Sequence, residues 1–140
     1  MNQQSIILNG ALLKPTELVC VMEKVWGHEE WIVNIPEYCG KKLVFKAGYQ
    51  CSLHQHKIKT ESFYVQEGRV VLETDFQGIP ETRILTPGDV AHIPVGMWHR
   101  LSAITPAQVF EFSTFHREDD SYRRIESGKA DFKAMQVSVE

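Results

Sequence analysis

Three histidines and one glutamate, His54, His56, Glu61 and His99, are spaced so that they could meet at one point. His54 and His56 are two apart, and side chains alternate along a strand, so both imidazoles leave the same face. Lys57-Ile58-Lys59-Thr60 is long enough for a turn that returns the Glu61 carboxylate to that side of the next strand. The side is an interior one if Phe63 and Val65, two and four residues after Glu61, also point inward. His99 follows Pro94-Val95-Gly96, a tight corner that re-aims the chain. Three imidazole nitrogens and a carboxylate oxygen suit one divalent first-row ion, and a six-coordinate ion held this way keeps positions open for water or substrate. A single His-x-His pair or a single glutamate carries little information; the four together point to a metal.

The elements that must position these residues read as strands. Short β-branched or apolar runs occur at 32–35, 42–46, 62–66, 69–74, 82–85, 90–93 and 108–115, each bounded by Gly, Pro or polar turn residues. No segment carries a helical stripe over three turns; the best helix candidates are Lys14 to Glu23 and Lys129 to Met135, each either a turn of helix or a loose arm. Many short strands with regular turns predict an all-β sandwich or barrel. The 140 residues suit one domain, 1–140, with a core at about 22–125 and short N- and C-terminal arms. A net charge of -3 offers no basic face for nucleic acid. Three irregularly spaced cysteines, Cys20, Cys39 and Cys51, do not form a disulfide framework and favour a reducing compartment. With no positive region ahead of Ile6-Ile7-Leu8 and no run of membrane-spanning length, a cytoplasmic location without membrane contact is expected.

These residues resemble the cupin superfamily. Its first motif, G-x5-H-x-H-x(3,4)-E-x6-G, is similar to Gly48, His54, His56, Glu61 and Gly68; its second, G-x5-P-x-G-x2-H-x3-N, is similar to Gly88, Pro94, Gly96 and His99, with Ala103 where asparagine is common. The resemblance implies a double-stranded β-helix, or jelly-roll barrel, a bound metal and a homodimer. Over roughly residues 22–125 the chain also resembles the cupin domain of mannose-6-phosphate isomerases, especially the type fused to mannose-1-phosphate guanylyltransferase. The stretches that carry this are Lys24-Val25-Trp26-Gly27-His28-Glu29-Glu30-Trp31, Ser52-Leu53-His54-Gln55-His56, Ile93 to Leu101, Val109 to Phe112 and Arg117 to Arg123. His54 stands where that family has glutamine, so the first ligand differs.

The narrower resemblance implies aldose–ketose isomerisation of a sugar or sugar phosphate, with one divalent ion (Zn, Mn, Fe or Ni) polarising substrate oxygens and a base moving a proton between adjacent carbons. Glu111 is the first candidate base, because a carboxylate within Val109-Phe110-Glu111-Phe112 is costly unless used or paired. Ordinary alternation would instead send Glu111 to solvent and Phe110 and Phe112 to the core. His92 is the second candidate, or else a satisfied core histidine. Lys59 and Arg100 are candidate phosphate binders, or exposed charges beside strands. Trp98 could line the pocket mouth and stack on a sugar ring; with Trp26 and Trp31 it could equally be a core or dimer-interface aromatic. Arg117-Glu118-Asp119-Asp120 and Arg123-Arg124 read as a solvated, salt-bridged loop, with Tyr122 and Arg123 at the pocket rim if the isomerase resemblance holds. An iron-dependent dioxygenase and a non-catalytic metal- or sugar-binding protein are the alternatives.

Overall fold

The computed structural model describes residues 6–8, 11–13 and 20–140. Two short strands, β1 (Ile6–Leu8) and β2 (Ala11–Leu13), pair only with each other. The chain then runs through β3 (Cys20–Lys24), β4 (Gly27–Ile35), β5 (Tyr38–Phe45), β6 (Tyr49–Gln50), β7 (Leu53–Gln55), β8 (Glu61–Glu67) and β9 (Val70–Phe76). It continues through β10 (Ile79–Leu85), β11 (Val90–Ile93), β12 (Trp98–Ala103), β13 (Ala107–Ser113), a 3-10 turn at Glu118–Asp120, β14 (Tyr122–Ile125) and β15 (Gly128–Lys129).

Besides that pair, the described residues form two antiparallel sheets. A six-stranded sheet has the order β11-β8-β13-β5-β4-β3. A seven-stranded sheet runs β10-β9-β12-β6-β15, with β7 bridging β12 and β14. This is the all-β architecture expected from the strand and turn signals, in the jelly-roll arrangement that the cupin resemblance implies.

Alternation decides what each sheet buries. On β5, Cys39, Lys41, Leu43 and Phe45 face inward; on β8, Glu61, Phe63 and Val65; on β13, Ala107, Val109 and Glu111. The seven-stranded sheet answers with Val70, Leu72, Leu85, Leu101 and Ala103, and Trp26 stacks on Phe45 at 4.4 Å between centroids. Gly68 turns β8 into β9 at φ +85, where a Cβ would also collide with the Pro106 carbonyl, so both backbone conformation and space require glycine.

The two candidates for a turn of helix or a loose arm differ in outcome. Cys20–Lys24 is a strand, laid beside β4 by alternating exposure, and residues 14–19 lie outside the described residues. After β15, residues 131–137 form turns held by bonds such as Val137 N to Phe132 O, and Gly128–Lys129 is paired into the sheet. β12, which carries His99, was hidden from sequence reading because Trp98-His99-Arg100 interrupts its apolar alternation.

Candidate metal centre and its pocket

His54 lies on β7 and His99 on β12, directly opposite one another in register. His56 follows β7 immediately, and its carbonyl accepts the Gly96 N–H at 2.8 Å. That bond pins the corner before β12 to the His-x-His segment. Gly96 adopts φ +85 there, the left-handed turn that re-aims the chain toward His99.

The three histidines offer one nitrogen each, all within 4.8 Å of one another. Each Nδ1 meets a backbone carbonyl at 2.9 Å: Ser52 for His54, Asp120 for His56 and Met97 for His99. A carbonyl only accepts, so each Nδ1 carries the proton and each Nε2 keeps its lone pair. Burial, with His99 and His56 alongside, pushes His54 down to about 3, so it is neutral at ordinary pH. Glu61 Oε2 completes the cluster, 2.9 Å from His56 Nε2 and 3.5 Å from His99 Nε2. These three atoms are fully buried yet none makes a hydrogen bond. Two lone-pair nitrogens and a carboxylate oxygen have nothing to donate to each other, and buried polar atoms left that way are costly. Convergent acceptors with no donor fit a cation, and the tautomer-fixing carbonyls are the outer partners that metal-binding histidines use. The cluster is therefore able to coordinate one divalent ion.

Asp120 fixes the loop between the ligands. Its carboxylate accepts the amides of Lys57, Ile58 and Lys59 at 2.9–3.3 Å, while its carbonyl takes the His56 Nδ1–H. Sequence reading placed Asp120 in a solvated loop; the structure buries it at 2% exposure. Arg117 and Asp119 of the same run do form an exposed pair.

A second buried cluster adjoins the histidines. Lys59 Nζ lies 3.0 Å from Glu111 Oε2, 3.0 Å from His116 Nδ1 and 3.9 Å from Glu61 Oε2. Burial alone would lower the Lys59 ammonium, but Glu111 and Glu61 more than offset it, so it is raised and stays protonated. Lys59 therefore donates to His116 Nδ1, leaving Nε2–H for Glu118 at 3.1 Å. Burial and the charges of Lys59 and Lys41 push His116 down to about 4. On the neighbouring strands, Lys41 Nζ sits 3.5 Å from Glu29 Oε1 and 4.2 Å over the Trp31 ring. Lys59, Glu111, His116, Lys41 and Glu29 line an open cavity of about 100 Å³, with the histidine cluster and Glu61 in its wall.

The predicted site residues divide sharply. His54, His56, Glu61, His99, Lys59 and Glu111 all line the cavity. Glu111 reverses the ordinary alternation reading: it is 5% exposed and faces in, while Phe112 is 58% exposed and faces out. His92 is corrected as a base candidate; it is exposed and meets Ser62 on the outer face, in register between the two strands. Trp98 and Arg100 flank the inward His99, so alternation turns both away from the cavity. Arg100 is spent on Glu73 in a two-pronged pair at 2.9 and 3.2 Å, and Trp98 is covered by the Arg124 guanidinium. Arg123 reaches the cavity rim and pairs with Glu126, and Tyr122 is exposed under Lys57. Cys20, Cys39 and Cys51 are free. Sequence reading missed Lys41, Glu29, His116 and Asp120. Lys41 alone left a signal, standing two and four residues from Leu43 and Phe45 on the apolar stripe.

Solved structures with this architecture include oxalate decarboxylase from Bacillus subtilis, with a TM-score of 0.67, 18% identity, and cover of 74% of this chain and 29% of that one. The capsular polysaccharide assembling protein CapF of Staphylococcus aureus superposes with a TM-score of 0.67, 19% identity, and cover of 76% and 34%. KdgF from Halomonas sp. gives a TM-score of 0.59, 26% identity, and cover of 66% of this chain and 81% of that one. The chain thus spans about a third of the length of the first two and most of the third. No curated protein sequence matches it. The family model described as a cupin domain matches residues 42–115, the segment that runs from β5 through the three histidines and Glu61 to just past β13. That match covers more than half of the 140 residues, and with the two sheets and the three-histidine cluster in place, the protein belongs to the cupin family.

Proposed function

We propose that this cupin is a metal-dependent isomerase that moves a proton between adjacent carbons of a small sugar or sugar phosphate, as its resemblance to mannose-6-phosphate isomerases implies. The observation that carries the reading is the buried Lys59–Glu111 pair beside the three histidines. A divalent ion held by His54, His56, His99 and Glu61 would supply Lewis-acid polarisation of the substrate's carbonyl and neighbouring hydroxyl oxygens.

The chain's own groups perform the rest. Lys59 stays charged and fixes Glu111 in place. Ser113 Oγ–H also donates to Glu111 Oε2, at 3.1 Å, so both donors address one oxygen and Oε1 is left to accept a proton. Glu111 takes the proton from C2 and returns it to C1, while a hydroxyl proton passes between O2 and O1; one C–H bond breaks, one forms, and no oxidant is needed. Lys59, bound to Glu111 and His116, steadies the charge on the base rather than gripping a phosphate. Apolar neighbours such as Phe63, Leu101 and Trp26 limit water in the cavity.

The test is turnover. Purified protein reconstituted separately with Zn, Mn, Fe, Ni or Co is assayed on mannose, fructose and their 6-phosphates. Interconversion that Glu111→Gln lowers by roughly 10²–10⁴-fold supports the reading. No turnover with any metal sinks it, and sugar binding without turnover would make the protein a binding cupin.

A further inference from the structure

Lys41 and Glu29 are the charged pair on the cavity wall that the proton transfer leaves unused. Across the six-stranded sheet the order is Glu61 on β8, Glu111 on β13, Lys41 on β5 and Glu29 on β4. Adjacent strands lie roughly 4.8 Å apart, so Lys41 stands two strands, about 10 Å along the sheet, from the Glu61 end of the row.

Lys41 is 2% exposed and carries three N–H donors, yet its only polar neighbour among the described residues is Glu29, at 3.5 Å. Its other contact is the face of Trp31. Glu29 Oε1 is already engaged by the Trp31 Nε1–H at 2.8 Å. An ammonium on a cavity wall with donors to spare can take acceptors from a molecule held in that cavity. An ionised carboxylate next to it disfavours a second anion, which argues against a phosphate or carboxylate end group. A hydroxyl both donates and accepts, so neighbouring hydroxyls match an ammonium beside a carboxylate. Trp26, Leu43 and Phe45 form an apolar wall in the same cavity, which suits the C–H face of a sugar.

We propose that Lys41 and Glu29 form a diol-binding subsite that holds two neighbouring hydroxyls at the uncharged end of a sugar, and so set substrate specificity at the far side of the cavity from the histidines. This rests on the reading of the cavity as a sugar site.

Calorimetric titration of the metal-loaded protein with mannose, its single-position deoxy analogues and mannose 6-phosphate tests it. The wild type should bind mannose and lose at least about tenfold in affinity when one hydroxyl of the held pair is missing. Lys41→Met with Glu29→Gln removes both charges together, so neither is left buried and unpaired. This double variant, checked for unchanged metal content, should bind mannose at least about tenfold more weakly and treat mannose and that deoxy analogue alike. Retained discrimination in the double variant overturns the subsite, as does a wild type that binds no mannose. Tight mannose 6-phosphate binding lost in Lys41→Met alone also overturns it, because the lysine would then be an anion site. Turnover assayed alongside separates the two ideas: binding that depends on the pair without turnover removes the isomerase and keeps the subsite, and turnover with unaltered discrimination does the reverse.

Discussion

The inner faces of β5, β8 and β13 are built by one alternation but split into two halves. Phe45, Val65 and Val109 fill one end, and Lys41, Glu61 and Glu111 fill the other at equal burial. The register places like with like, since Leu43 opposes Val109 and Lys41 opposes Glu111. In the apolar half burial itself stabilises, by about 25 cal/mol per Å² removed from water. In the charged half each ion loses several kcal/mol of hydration, regained only through well-placed partners. One half therefore holds the sheets together, while the other is carried by the fold and serves the cavity.

His99 and Leu101 break that comparison most cleanly, because they are two apart on β12, both inward, and both 1% exposed. His99→Ala should abolish metal retention after dialysis, read by elemental analysis, with only a modest change in denaturation midpoint. Leu101→Ala should keep its metal and lose roughly 2–5 kcal/mol of stability in urea titrations. Equal metal loss in both would mean that the two halves are not separable.

Lys59 and Glu111 sharpen it. Lys59→Met leaves Glu111 buried with its main partner gone and should cost roughly 3–5 kcal/mol. Lys59→Met with Glu111→Leu should recover most of that loss in the same titration, while turnover stays absent. A single variant that costs less than about 1 kcal/mol would mean that water already screens the pair.

The pH response should come from the same half. His116 titrates at about 4 in the folded protein, against roughly 6.5 in an unfolded chain. The unfolded state therefore binds more protons between those values. The contribution is fully present above about pH 6.5, is lost as pH falls toward 4, and amounts to roughly 3 kcal/mol at most. Metal-free protein should show this slope in denaturant midpoints between pH 7 and 4.5. His116→Gln should flatten it in part, with His54 and the depressed Glu29 carboxyl contributing to what remains. A slope identical in wild type and variant would rule out His116 as its source.

The metal-site residues were legible because the rules behind them are local: a strand's two-residue period for His54 and His56, a four-residue turn before Glu61, and a glycine corner ahead of His99. The all-β class was legible for the same reason, through short strands between turn residues, whereas the choice of a jelly roll came from the motif resemblance. Which way Glu111 faces was not, because Phe110 and Phe112 make the better core pattern, and only the partner Lys59 on another segment reverses it. His116, Asp120 and Glu29 act through residues up to 82 positions away, as in the Asn34–His116 bonds and the His56–Asp120 bond, and no local pattern records such pairings. His92 and Arg100 misled because each is adjacent in sequence to an inward residue, and adjacency on a strand means the opposite face.

Arg100 gives the smallest and most specific prediction. It sits between His99 and Leu101 on β12, so its side chain leaves the sheet on the side away from the cavity, where Glu73 on β9 is its register partner. The pair is two-pronged and only partly covered, its side chains 12% and 23% exposed, so screening limits its value. Arg100→Met keeps the length and apolar stem of the side chain and removes only the charge and the forked bonds. It should cost about 1 kcal/mol or less in urea titrations, with the loss shrinking at high salt. Metal content, and affinity for mannose and mannose 6-phosphate, should stay at wild-type values. Selective loss of mannose 6-phosphate binding would mean that the guanidinium swings into the cavity, and that the outer face of β12 belongs to the charged half after all.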